Sequence, residues 1–205
     1  MARSTTTHRK SGRGTKNGGR GARAAASRIT EQQTEPVSRE REPAKLFSTK
    51  NDLSESIRVE VIPLLNQRLA ECIDLQTQCK QAHWNVKGPS FIGLHKLFDE
   101  INESVEAYVD LIAERIVQLG GIAEGTIGAV EGRSSLIDYP LTISTGPEHV
   151  AALSDALAGF ARAARMGIEE MQELNDADSA DMLTDISRGV DQWLWFVEAH
   201  QQEQA

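Results

Sequence analysis

The stretch that decides the fold is HWNVKGPSFIGLHKLFDE, residues 83–100. The Gly-Pro pair at 88–89 ends one helical pattern, because glycine and proline both interrupt a helix. Ser90 can cap the helix that follows. We predict that this second helix runs from Phe91 to about Leu119, before a Gly-Gly pair. Two long helices therefore meet at a short turn, and side chains able to bind metal lie on both sides of it.

Five such side chains form the candidate metal site: His83, His95, Asp99, Asp110 and Glu114. At ~100° per residue, the last four fall on one face of the second helix, at about 0°, 40°, 60° and 100°. The 19 residues from His95 to Glu114 nevertheless span roughly 28 Å, far beyond a metal–ligand bond of ~2 Å. The face therefore carries two separate i,i+4 pairs, and neither pair completes a coordination shell.

A second subunit would supply the missing ligands. If the same helix of a partner packs antiparallel across a two-fold axis, the N-terminal half of one meets the C-terminal half of the other, which gives two identical sites. Imidazole and carboxylate ligands without a thiolate suit Fe(II), with Mn(II) or Zn(II) as competitors. Acidic residues on a helix are usually only solvated, so this hypothesis depends on the alignment of all five groups.

The segment KQAHWNVKGPSFIGLH, residues 80–95, resembles the Dps proteins (DNA-binding proteins from starved cells), which are mini-ferritins of the ferritin-like superfamily. The resemblance begins near Leu53 and continues to the C-terminus. It implies a ferroxidase centre in which His83, His95 and Asp99 of one chain combine with the partner subunit's Asp110 and Glu114. It also implies a homo-oligomer of twelve subunits, hydrogen peroxide as the preferred oxidant, and ferric mineral stored in a hollow interior.

Trp84 stands beside the first ligand and has two interpretations. The resemblance implies that this position donates electrons or traps radicals near the iron. An aromatic plug in the seam between two subunits explains the residue at least as well.

Two functions are alternatives to a Dps-type ferroxidase: an oxygen-using storage ferritin and a non-enzymatic DNA-compacting protein. Larger ferritins and bacterioferritins build di-iron sites within one subunit from Glu-x-x-His motifs. No Glu stands three residues before any of the five His, so this oxygen-using class is disfavoured. A non-enzymatic protein that compacts the nucleoid, with a structural or zinc-filled metal site, is the stronger alternative.

Periodic apolar positions predict an all-α four-helix bundle over residues 46–205, and the resemblance implies that it is ferritin-like. A capping-box-like pair, Asp52 and Glu55, starts the first helix, which runs towards Trp84. Pro63 is expected to kink this helix or to shift its start. In this arrangement a long crossover joins helices two and three.

The crossover is predicted at residues 120–147, which are rich in Gly and Pro. The resemblance places a short extra helix in it, and Glu131–Ile137 is the expected segment. Pro147 opens the third helix in its first turn, and the fourth helix begins near Asp178. An acidic cluster at that turn has two explanations that we leave open: caps for free amides, or the lining of a three-fold pore that draws in Fe(II). Its members are Asp176, Asp178, Asp181 and Asp185.

Charge divides the chain of 205 residues into two parts. Residues 1–45 contain eleven Lys or Arg and four Glu, a net +7, so residues 46–205 carry −15 of the total of −8. The N-terminal part cannot bury enough apolar surface to fold and is predicted to be a disordered basic tail. Its first 28 residues hold eight basic side chains and no acid: Arg3, Arg9, Lys10, Arg13, Lys16, Arg20, Arg23 and Arg28.

Such a tail is expected to bind DNA through phosphate, without sequence preference and with an affinity that falls with salt. It has no aromatic side chain to stack on bases. A solubilising role, or binding to the protein's own acidic shell, would explain the composition too.

Composition and cysteine spacing indicate the compartment. The chain is 40% apolar and 25% charged, has no apolar run of ~18 residues and has no signal-peptide pattern. We therefore expect a cytoplasmic protein with no membrane partner; the resemblance and the expected DNA binding imply that it is nucleoid-associated. Cys72 and Cys79 are about 10 Å apart along one helix, too far for a disulfide, so we expect reduced, buried thiols.

Overall fold

The computed structural model describes residues 45–202, which form five α-helices. The helices are α1 (Glu55–Asn85), α2 (Phe91–Gln118), α3 (Ile127–Glu131), α4 (Gly146–Glu173) and α5 (Ala177–Glu198). Within these residues there is no strand, only an isolated bridge between Lys87 and Thr145. The four long helices form the bundle and α3 lies in the crossover, so the predicted fold class is confirmed. None of the described helices is long and apolar enough to span a bilayer.

The core lies along the inner faces of the four long helices. α1 packs most extensively on α2, α4 packs on α5, and α1 also contacts α4. Phe98 of α2 and Phe160 of α4 are completely buried, as is Leu65 of α1. Burial of each such side chain contributes about 1.5–3 kcal/mol. This core holds α1 and α2 side by side and so fixes the turn between them.

α1 differs from the sequence prediction at two points. Its N-cap is Ser54, whose Oγ accepts a hydrogen bond from the Ile57 amide at 3.3 Å, and not Asp52. The helix also continues through Pro63, so the expected shift of its start is wrong. Pro63 is exposed and the residue four before it, Val59, is 53% exposed, so water can reach the carbonyl that lost its amide donor.

α2 starts at the predicted residue but without the predicted cap. The Ser90 side chain makes no capping hydrogen bond, because its backbone (φ −92°, ψ 13°) is not in the extended region that an N-cap adopts. The helix ends at Gln118, and Gly120 follows with φ +85°, a conformation that favours glycine. A side chain at Gly120 would also strike the carbonyl oxygen of Phe47.

The short crossover helix is Ile127–Glu131, so the predicted segment, Glu131–Ile137, is wrong. Polar side chains of α1 hold residues 133–137 in a non-helical path. Gln67 Nε2 donates to the Arg133 carbonyl at 2.5 Å, and Gln78 Nε2 donates to the Ile137 carbonyl at 3.1 Å. Since these carbonyls bond to α1, they do not accept helical hydrogen bonds. A local reading of the sequence could not detect partners about 60 residues away.

α4 and α5 begin close to the predicted positions. Pro147 lies in the first turn of α4, as expected, and the Glu148 carboxylate accepts from the Thr145 amide at 2.9 Å. Hydrogen bonds from the Thr145 backbone and side chain lower the pKa of Glu148. α5 follows a turn in which Asn175 has φ +59°, and Asp176 is its N-cap.

Candidate metal centre

The turn between α1 and α2 brings the first two candidate ligands together. His83 lies in the last turn of α1, and His95 lies in the first turns of α2. The start of α4 braces the turn, since the Lys87 amide donates to the Ser144 carbonyl at 2.9 Å and the Gly146 amide donates to the Lys87 carbonyl at 3.1 Å. The separation of the two histidines is therefore set by three segments of the chain.

The two imidazole rings are held by reciprocal hydrogen bonds. His83 Nδ1 lies 2.7 Å from the His95 carbonyl, and His95 Nδ1 lies 2.8 Å from the His83 carbonyl. The rings stack with centroids 3.7 Å apart and an interplanar angle of 20°. A carbonyl can only accept, so each Nδ1 carries a proton and donates it. The hydrogen bonds therefore leave Nε2 of each ring as the nitrogen that can bind a metal.

Asp99 lies one turn after His95 and already has a cationic partner. The Lys80 ammonium forms an ion pair with its carboxylate, and His83 Nδ1 lies 3.9 Å from the same oxygen. The hydrogen bond from Lys80 is the main cause that lowers the pKa of Asp99, and the two histidines add to it. Asp99 is therefore an anion at neutral pH, and a metal ion would share this carboxylate with Lys80 or displace it.

Asp110 and Glu114 are exposed on the C-terminal half of α2. Helix geometry separates Glu114 from His95 by roughly 28 Å, so one chain does not bring the two halves of the site together. Within residues 45–202, no three His, Cys, Asp or Glu side chains of one chain are close enough to hold a metal ion. The candidate ligands of one chain thus form two separate groups, one towards each end of α2.

Trp84 points away from the core of its own subunit. Its side chain is 69% exposed and lines a groove of about 940 Å³ together with Lys80, Asn102 and Tyr139. An exposed indole beside a pair of histidines is compatible with either interpretation of this residue, as a redox group or as a plug against another subunit.

A buried ion pair supports the other end of α2. Arg115 Nη2 donates to Asp176 Oδ1 at 2.7 Å, and Arg115 Nε donates to Ser179 Oγ at 2.8 Å. Asp176 is 1% exposed and also accepts from the Ser179 amide, so it serves as the cap of α5. The network fixes the turn of α2 that carries Glu114.

The other members of the acidic cluster are exposed. Asp178 lies 3.9 Å from Arg115, Asp185 pairs with Arg188, and Asp181 faces solvent. The structure therefore gives Asp176 the capping role that was one of the two explanations for this cluster.

Three polar partners were missed from the sequence: Lys80, Arg115 and the pair of Tyr139 with His149. Lys80 precedes His83 by one helical turn, and this spacing was the signal that could have identified it.

Cys72 and Cys79 are buried free thiols, as predicted, and burial raises the pKa of both, that of Cys79 to about 12. The predicted DNA-binding residues, Arg3 to Arg28, lie outside the described residues.

Comparison with known proteins places this architecture in a family. The family model described as ferritin-like domain matches residues 62–204. The DNA protection during starvation protein of Agrobacterium fabrum is 43% identical over 161 residues, which cover 78% of this chain and 99% of that protein. The protein of the same name from Mycolicibacterium smegmatis is 37% identical over 148 residues, which cover 72% and 80%.

Solved structures agree with these relatives. The tetragonal form of Mycobacterium smegmatis Dps superimposes with a TM-score of 0.73 and 35% identity, and covers 78% of this chain and 96% of that one. DpsA14 from Streptomyces coelicolor has a TM-score of 0.74 and 31% identity, with 79% and 96% covered. The chain belongs to the ferritin-like family, in its Dps branch.

Proposed function

We propose that this protein oxidises Fe(II) and stores the ferric product, at centres shared between two subunits. His83, His95 and Asp99 of one chain and the partner subunit's Asp110 and Glu114 would bind the iron. The observation that carries this proposal is the reciprocal hydrogen bonding of His83 and His95, which engages both Nδ1 atoms and leaves both Nε2 atoms as the ring nitrogens available to a metal.

The spacing of the half-sites supports antiparallel pairing. Four residues separate His95 from Asp99, and four separate Asp110 from Glu114. An antiparallel register that places His95 opposite the partner's Glu114 therefore also places Asp99 opposite the partner's Asp110. One register completes both sites of the dimer.

The chemistry follows from the ligands. Imidazole and carboxylate favour ferrous iron as substrate, with zinc as a competitor for the same groups. With hydrogen peroxide as oxidant, two Fe(II) give up one electron each, and the peroxide takes up two protons and leaves as two waters. Paired oxidation of this kind releases no hydroxyl radical.

The proposal includes assembly of the subunits into a larger shell. The resemblance to the Dps family implies that this shell is a dodecamer. Several large apolar side chains are exposed on the single chain, and clusters of such side chains mark interaction surfaces. They include Val117, Ile122, Leu141, Met166 and Trp195. Acidic side chains at the start of α5, such as Asp181 and Asp185, would attract Fe(II) towards a pore in this shell.

Protection of DNA in the cytoplasm is the second component. The relatives named above are DNA protection during starvation proteins. In this chain the basic residues of positions 1–45 would contact phosphate without sequence preference, and the iron site would remove peroxide close to the nucleoid. The basic tail and the acidic remainder are compatible with such a division of roles.

The alternative function is DNA compaction with a metal site that is silent or filled by zinc. The ion pair between Lys80 and Asp99 favours it, because it weakens one ligand. Addition of Fe(II) and then hydrogen peroxide, followed by a sizing column, separates the two. Iron oxidation and storage require ferric iron to elute with a particle far larger than the 22.5 kDa chain. Free precipitation of iron beside intact protein would favour compaction.

A pair of variants makes this experiment specific. His95→Ala removes one Nε2 ligand and should slow iron oxidation by at least about tenfold, while the particle stays intact. His200→Ala is the matched control, because His200 is exposed near the end of α5. Unchanged kinetics in His95→Ala would show that the site is elsewhere.

A further inference from the structure

A second pair of titratable side chains lies where the crossover meets α4. The Tyr139 hydroxyl is 2.7 Å from His149 Nδ1, and the two rings are nearly parallel, with an interplanar angle of 19°. His149 is 1% exposed. A phenol in a short hydrogen bond to a buried imidazole can pass its proton without a change of geometry.

The other nitrogen of His149 defines the direction of this hydrogen bond. Nε2 is buried and has no partner at normal hydrogen-bond geometry within the described residues. Burial lowers the pKa of His149, and the main chain of Asn85 and the carboxylate of Glu148 partly oppose this effect. Since the Asn85 carbonyl is an acceptor, the proton of the neutral ring belongs on Nε2. Nδ1 therefore accepts from Tyr139.

The pair stands at the groove that contains Trp84. Tyr139 lines this groove of about 940 Å³ together with Trp84 and Lys80, and Asn85 follows Trp84 directly in α1. Burial is the main cause that raises the pKa of Tyr139, with nearby Cys79 as a second cause. The phenol is thus protonated at neutral pH, and its oxidation requires a base that takes the proton at the same time.

We propose that Tyr139 and His149 form a redox-active pair that reduces strong one-electron oxidants arising in the groove, with Trp84 as the intermediate carrier. The oxidants are of the class that a single Fe(II) generates from hydrogen peroxide, so the inference rests on the proposed iron oxidation. Oxidised Trp84, a radical cation, takes one electron from Tyr139. The phenolic proton passes to His149 Nδ1. The products are restored Trp84, a neutral tyrosyl radical and an imidazolium, so one electron and one proton account for the whole step.

The first test is electron paramagnetic resonance on the full-length assembly, freeze-quenched after Fe(II) and hydrogen peroxide. The chain has two tyrosines, so Tyr108→Phe is the matched control for Tyr139→Phe. We expect a tyrosyl radical in the parent protein and in Tyr108→Phe, and none in Tyr139→Phe, with the same rate of iron oxidation in all three. A tyrosyl radical that survives in Tyr139→Phe would overturn the assignment, whereas a radical on Trp84 is expected to persist there because its electron donor is gone.

The second test removes the proton acceptor and dispenses with iron. Photo-oxidation of the iron-free assembly by ruthenium tris-bipyridine and persulfate should generate the Tyr139 radical directly. His149→Gln should slow its formation by about 10²-fold, as expected for loss of a general base, while circular dichroism and particle size stay unchanged. An unchanged rate in a folded His149→Gln protein would contradict the pair.

The two tests separate failure of the inference from failure of the proposed function. Normal iron oxidation without a Tyr139 radical in either experiment would refute the redox pair alone. A photochemical Tyr139 radical in a protein that does not oxidise iron would support the pair and refute the source of its oxidant.

Discussion

His83 and His95 exchange hydrogen bonds across the turn between α1 and α2, with Nδ1 of each ring bonded to the main-chain carbonyl of the other. The exchange links the orientation of each ring to the backbone position of the other residue. It leaves Nε2 of each ring as the nitrogen available to a metal. The proposed half-site of His83 and His95 is therefore held in position by contacts within a single chain.

Removal of Lys80 should strengthen metal binding. Lys80→Met frees the Asp99 carboxylate, and its pKa should return upwards because its main hydrogen-bond donor is lost. Both side chains are about one-third exposed (34% and 37%), so the gain is limited to about 1 kcal/mol, or about fivefold in affinity. Competition with a zinc indicator would measure it, with the exposed Lys50→Met as control. A lower affinity would mean that Lys80 assists the site.

Loss of Arg115 should destabilise the fold strongly. Arg115→Met leaves Asp176 buried and unpaired at the start of α5, which costs about 3–5 kcal/mol. The pair of Arg165 and Asp191 is half-exposed, so Arg165→Met should cost at most about 1 kcal/mol. Thermal unfolding of both variants at one protein concentration compares them. Equal midpoints would show that the buried network does not anchor α5.

The pH dependence of stability should include a contribution from His149. Its folded pKa is lowered by burial, whereas the unfolded value is about 6.5. Below about pH 6.5 the unfolded chain therefore binds more protons at this position, so stability rises with pH through that window and is lost on acidification. In His149→Gln this slope should be smaller. The exposed His200→Gln serves as control, and an unchanged slope in His149→Gln would exclude the contribution.

Deletion of residues 1–45 should abolish DNA binding. The full chain is expected to shift DNA in a gel at low salt and to release it as salt rises, because binding displaces counterions from phosphate. The truncated protein carries −15 and should not bind at any salt concentration. Salt-insensitive binding by the full chain, or binding retained after truncation, would assign the DNA contact to another surface.

Local sequence signals predicted the bundle well. The apolar periodicity, the Gly-Pro break before Phe91 and Pro147 at the start of α4 each report on contacts within a few residues. The misplaced crossover helix depends on distant partners, since residues 133–137 are non-helical because Gln67 and Gln78 bind their carbonyls. Capping by Asp176 was one of the two predicted explanations, but its burial against Arg115 of another helix was not predicted. The histidine tautomers likewise follow from a tertiary contact.

The sequence could identify candidate ligands but not their state. The spacing of four residues alone predicted that His95 and Asp99 form one pair of ligands and that Asp110 and Glu114 form the other. It did not reveal that Lys80 forms an ion pair with Asp99, since this contact depends on how α1 packs on α2. The same packing exposes Trp84 to the groove rather than to the core.

The central claim, that each site is shared by two subunits, is tested most directly by mixing two inactive variants. His83→Ala/His95→Ala chains lack one half-site, and Asp110→Ala/Glu114→Ala chains lack the other. In a mixed dimer, one site carries both defects and the other is intact. Unfolding and random reassembly of equal amounts should therefore restore iron oxidation to about a quarter of the unmodified level, since half of the dimers are mixed and each has one working site. Mixtures as inactive as either variant alone would contradict the shared site.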